Sequence, residues 1–93
     1  MTVKDTSLQA YWSERLSKRI NKQQVTVLES LNIYGPGTRK QIAHSTGLAI
    51  NCVCGRVKEL LDMQAVEEFT KVIDADTRKP VWVLRIKENE CHA

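Results

Sequence analysis

The chain is poor in the residues that most often carry chemistry. It has two histidines and three cysteines in 93 residues. Cys52, Cys54 and Cys91 form an odd set without regular spacing, so they do not read as a disulfide framework. Reduced thiols are the simpler account. Cys52 and Cys54 cannot grip one metal from within a helix, because positions i and i+2 diverge by about 200°. His44, Cys91 and His92 add ligand types but no zinc spacing. There is no GxxxxGK loop, no GxGxxG turn and no Ser-His-Asp or Cys-His arrangement. These absences argue against an enzyme, a metal site and a bound cofactor. No apolar run approaches a membrane span. The opening MTVKDTSLQAYW lacks the apolar centre of a signal peptide, so a cytoplasmic protein is expected. Internal repeats, low-complexity tracts and interdomain linkers are absent too.

What is present suits one small globular domain. Apolar residues make up 42% and charged residues 27% of the chain. That length supports one modest core, and a second copy could complete it. The net charge of +3 is mild and proves no nucleic-acid partner. Its distribution is uneven. Residues 1–22 carry Lys4, Arg15, Lys18, Arg19 and Lys22 against Asp5 and Glu14, whereas the last third is slightly acidic. Any anion-binding surface must therefore come from local clustering.

The apolar pattern divides the chain. Leu8, Tyr11, Trp12, Leu16 and Ile20 form a helical stripe, with Ser7 as a candidate cap and Arg15, Lys18, Arg19 and Lys22 on its outer face. Asn21 is placed to cap a second helix running to about Tyr34, stopped by Gly35-Pro36-Gly37. Thr38 and Gln41 have capping-box spacing, predicting a short helix over residues 39–45. Gly47 marks a tight reversal. A further helix starts near Ala49 or Ile50, with Val53, Val57, Leu60 and Leu61 inside. Beyond Met63 the period shortens. Two stretches rich in β-formers, around residues 66–73 and 81–84, flank the polar tip DADTRKP and read as a β-hairpin. Residues 87–93 read as a frayed tail.

This order, carried by VLESL, TRKQIAHSTGL, NCVCGRVKELL and the step at Ala65-Val66, resembles the winged helix-turn-helix family, in particular its small bacterial and phage-type transcription regulators. The expected fold is α+β but mainly α: a three-helix core plus a β-hairpin wing, with an extra N-terminal helix. The expected division is 1–22 as a helical extension, 23–86 as the winged domain and 87–93 as tail. In the family pattern, Ile42, Ala43, Leu48, Val53, Val57 and Leu60 form the core. The resemblance implies a sequence-specific regulator of transcription, a repressor or autoregulator, in a bacterial cytoplasm or phage-infected host, bound to double-stranded DNA at the nucleoid. The helix over about residues 50–62 would enter the major groove. Asn51, Cys52, Gly55 and Arg56 would face the bases, because Asn pairs with adenine and Arg with guanine. Thr38, Arg39, Lys40 and Lys58 would contact the backbone. Lys71, Arg78 and Lys79 would decorate the wing, although Asp74 and Asp76 weaken that patch.

Several alternatives stay open. Gly55 either permits close approach to DNA or accommodates local packing. Cys52 is either a redox-sensing thiol or an incidental small residue. Leu8, Tyr11, Trp12, Leu16 and Ile20 either pack on the chain's own core or form a homodimer interface. The competing functions are a winged-helix protein-interaction module and a replication or recombination accessory factor. No residue set suggests a roomy ligand pocket.

Overall fold

The computed structural model describes residues 5–87. Helix formation begins where the sequence supplies caps. α2 (Lys22–Tyr34) opens on Asn21, whose side chain accepts from the Gln24 amide while the Gln24 side chain accepts from the Asn21 amide. α3 (Arg39–Thr46) opens on the same reciprocal box between Thr38 and Gln41. Each box satisfies two amides that a helix end otherwise leaves unpaired. α3 ends at Gly47, whose φ of 79° is left-handed and suits a residue without Cβ. α4 (Ile50–Asp62) follows after two further residues.

Val25, Val27, Leu28 and Leu31 of α2 bury against Ile42 of α3 and against Val53, Val57 and Leu60 of α4. Ala43, Leu48 and Leu61 pack at the edge of this core, half-buried. Burying each large aliphatic side chain contributes about 1.5–3 kcal/mol. A short Ser30–Ser45 hydroxyl contact of 2.6 Å fixes α2 to α3 on the polar side. The hairpin closes the core from the other end. β1 (Val66–Ile73) pairs antiparallel with β2 (Pro80–Ile86), with a bulge between Glu68 and Thr70. Val66 and Leu84 reach the core, and Gly37 bridges Leu84 through two backbone bonds of 2.8 and 2.9 Å. The segment after α2 is thereby stitched to the wing.

α1 (Asp5–Leu16) differs from the sequence expectation in extent. Ser7 lies inside it rather than at its cap. It stops at Leu16 because Ser17 turns left-handed at φ 55°, so Ile20 is not on the helix. Ile20 is nevertheless buried. Its carbonyl accepts from the Gln9 side chain at 2.7 Å and its amide donates to the Ser13 hydroxyl, drawing the returning chain back against α1. Trp12 is fully enclosed, and its indole N–H donates to Glu29 of α2 at 2.7 Å. Trp12 and Ile20 therefore sit in the same core as α2–α4, while Leu8 and Leu16 are half-buried and Tyr11 is 51% exposed. No helix among the described residues is long and apolar enough to cross a membrane. Apart from Lys87, the expected tail lies outside the described residues.

Removing Trp12 leaves a cavity and strands the Glu29 carboxylate. Trp12→Ala should lower stability to urea by about 3–5 kcal/mol, whereas Tyr11→Ala should stay within about 0.5 kcal/mol. Equal unfolding midpoints for the two variants would remove α1 from the core.

Candidate nucleic-acid interface

α4 commits one stripe, Val53, Val57 and Leu60, to the core. The opposite side follows from 3.6 residues per turn. Asn51, Gly55 and Lys58, spaced four and three apart, form a ridge that ends at Asp62. Asn51, Lys58 and Asp62 are exposed, and a Cβ placed at Gly55 would meet nothing within 4 Å. Open space excludes tight intramolecular packing as the reason for glycine here. Ala49 gives α4 no side-chain cap, so its first amides are left to solvent or to an incoming acceptor.

One flank of α4 meets the first turn of α2. Arg56 donates through Nε and Nη2 to both carboxylate oxygens of Glu59 at 2.8 Å, and through Nη1 to Gln23 at 2.7 Å. Glu59 also accepts from Gln24 at 2.8 Å. The Arg56 and Gln24 bonds, in that order, hold the Glu59 carboxyl below the ordinary glutamate range. Arg56 is thus an anchored group rather than a freely projecting one, with its side chain 26% exposed. Cys52 lies half-buried on this flank.

The other flank meets the wing, and there the two cations of the first turn of α3 are already matched. Arg39 pairs with Glu68 of β1 at 3.6 Å. Lys40 pairs with Asp76 and, at 3.6 Å, with Asp74 of the wing loop. The Asp76 contact is the first cause that raises the Lys40 pKa. Asp74 is lowered first by the Asp76 backbone amide that it accepts and then by Lys40. Thr38 is buried, with its hydroxyl accepting from the Gln41 amide. Lys71 stands 4.9 Å from the centre of the Trp82 ring. Arg78 and Lys79 are exposed at the hairpin tip, where Arg78 has a left-handed φ of 59°.

Between the wing and α3–α4 lies an apolar groove of about 950 Å³, lined by Ala43, Ile50, Cys54, Val72, Ile73 and Trp82 among others. Sequence reasoning gave no sign of this groove, because its walls come from four elements distant in the chain. Of the partners it missed, only Glu59 left a local trace, the i,i+3 spacing from Arg56. Gln23, Gln24 and the wing acids had none. Among the described residues no cluster of three or more His, Cys, Asp or Glu could hold a metal ion. Cys91 and His92 lie outside those residues.

No family model matches the chain, and no curated protein matches it. A solved structure of a MarR family regulator from Neisseria meningitidis is similar in fold, with a TM-score of 0.58 and 23% sequence identity. The similarity covers 89% of this chain and 54% of that one, so the chain spans about half the regulator's length. The fold is a winged helix-turn-helix. Within it, α3 and α4 are the helix-turn-helix pair, α2 completes the three-helix core and β1–β2 form the wing.

The Arg56–Glu59 pair makes a pH prediction. A lowered carboxyl pKa contributes stability that is present above the unfolded glutamate value of about 4.3 and is lost as pH falls through the folded value. Arg56→Met should move the Glu59 midpoint upward when followed by side-chain NMR, and acid unfolding should begin at higher pH. An unmoved midpoint would show that Arg56 does not set it.

Proposed function

We propose that this chain is a sequence-specific regulator of transcription that lays α4 in the major groove of double-stranded DNA. The observation that carries this reading is the Asn51–Gly55–Lys58 ridge, polar at both ends and bare in the middle. A major groove about 12 Å wide admits one helix. Asn51 offers the donor and acceptor that match the adenine edge, and Gly55 lets the helix backbone approach a base or a thymine methyl. Arg56 supports the reading despite its anchors. Glu59 and Gln23 engage one N–H on each of its three nitrogens, leaving one N–H on Nη1 and one on Nη2 for guanine O6 and N7. Glu59 thereby orients a base-reading arginine. Cys52 sits at the shoulder of the ridge.

Lys58, one turn before Asp62 on the ridge, meets a backbone phosphate. Arg39 and Lys40 can do so only in competition with Glu68, Asp74 and Asp76, and the buried Thr38 acts through the cap that positions them. Arg78 and Lys79 are the wing cations best placed for the backbone. Binding as a homodimer would set half-sites about one helical turn apart. With Trp12 and Ile20 enclosed, the α1 contribution to such a dimer reduces to Tyr11 and the edges of Leu8 and Leu16. Repression follows if the site overlaps a promoter, and no catalytic role is part of this reading.

One observation favours a second reading. The groove beside the wing exposes Ile50 at 50% and Ile73 at 66%, an apolar surface suited to a protein partner.

Selection from a random-sequence duplex pool at physiological salt separates the two. The DNA reading expects an enriched palindromic motif. Arg56→Ala should relax one base position and weaken specific binding by about 1–3 kcal/mol. A pool that stays unenriched would overturn the reading.

A further inference from the structure

The two flanks of α4 differ in charge. On the wing side, Arg39 and Lys40 are paired with Glu68, Asp74 and Asp76. On the other side, Lys18 and Arg19 between α1 and α2 and Lys22 at the start of α2 are all exposed and none is in an ion pair among the described residues. This junction is held against α4. Gln23 and Gln24, which directly follow Lys22, hydrogen-bond Arg56 and Glu59 at 2.7 and 2.8 Å. The left-handed turn at Ser17 and the burial of Ile20 fix the path that presents Lys18 and Arg19.

We propose that Lys18, Arg19 and Lys22 form the main phosphate-binding flank of the molecule, gripping the DNA backbone on the side of α4 away from the wing. This deepens the DNA-binding reading and rests on it. A helix in the major groove lies between two phosphate ridges, one on either side. On the wing-side ridge Arg39 and Lys40 are already neutralised by protein carboxylates, so binding there exchanges one anion for another, and Arg78 and Lys79 share the hairpin loop with Asp74 and Asp76, whose charge opposes a phosphate. The junction-side ridge meets three cations whose counterparts are small ions, and their release drives association. Sequence is read along α4, and the sequence-independent attraction is supplied by a segment outside the helix-turn-helix. The junction also stays rigid on binding, since both ends are fixed by buried residues, Trp12 and Ile20 on one side and Gln24 and Val25 on the other.

The test is the salt dependence of binding to a fluorescent mixed-sequence duplex, measured by anisotropy between about 50 and 200 mM salt. Each phosphate contact contributes about 0.9 to the slope of log affinity against log salt. The triple variant Lys18→Ala, Arg19→Ala, Lys22→Ala should lower that slope by about 2–3. The wing variant Lys71→Ala, Arg78→Ala, Lys79→Ala should lower it by less than about 1. All six side chains are exposed, and circular dichroism checks that both variants fold. An unchanged slope in the junction variant, or the larger loss in the wing variant, would overturn the proposal. If Asn51→Ala abolishes selective binding while the junction variant binds like the parent, the DNA reading stands and the basic flank falls. A parent protein without salt-dependent DNA binding would end both.

Discussion

Burial of a single stripe of α4 is the constraint on which the rest depends. Val53, Val57 and Leu60 are fully enclosed by α2, α3 and the hairpin. Once they are fixed, the helical period decides every other side chain's direction. Asn51, Gly55 and Lys58 must face solvent, Arg56 and Glu59 must face the start of α2, and Ile50 and Cys54 must face the wing. No separate device is needed to present the ridge. The capped starts of α2 and α3, the left-handed Gly47 and the Gly37–Leu84 bridge all hold the supports of that one helix in place.

Charge is then arranged around α4 rather than along it. The wing's acids neutralise the first turn of α3, which makes the wing side cohesive within the protein and weak toward anions. Exposed ion pairs of this kind contribute little to stability, about 0–1 kcal/mol each. Their larger effect is on what the surface can attract. With the α3 cations paired, the apolar groove beside them is neither strongly basic nor strongly acidic. Among the described residues, Lys18, Arg19 and Lys22 cluster unpaired at the α1–α2 junction, whereas the unpaired Arg78 and Lys79 share the hairpin tip with Asp74 and Asp76, so the modest net charge of +3 does not describe the field that a partner meets.

The helices, the turn glycine and the hairpin were legible because each has a local signature. Asn21, Thr38 with Gln41, Gly35-Pro36-Gly37 and the inner positions of α4 all fall where spacing and capping chemistry put them. The end of α1 was not legible. The apolar spacing continues to Ile20, yet the helix stops at Leu16, and Ile20 reaches the core held by Gln9, which donates to its carbonyl, and by Ser13, which accepts from its amide, rather than by helical register. For the candidate interface, sequence reasoning proposed residues but not their partnerships. Arg56 meets Gln23 across 33 residues and Lys40 meets Asp76 across 36. No sequence window contains such pairs. The groove escaped for the same reason.

Gly55 offers the most direct test of the claim that the α4 ridge lies against DNA. A glycine inside a helix costs about 1 kcal/mol relative to alanine, and here no neighbouring atom requires it. Gly55→Leu should therefore raise the free energy of unfolding by about 0.5–1 kcal/mol. If the ridge docks in the groove, the same variant should lose specific DNA binding, because the added side chain occupies the space where the backbone meets the bases. Stability and binding would move in opposite directions. A stabilised protein that binds its selected DNA as tightly as the parent would place the interface elsewhere on the molecule.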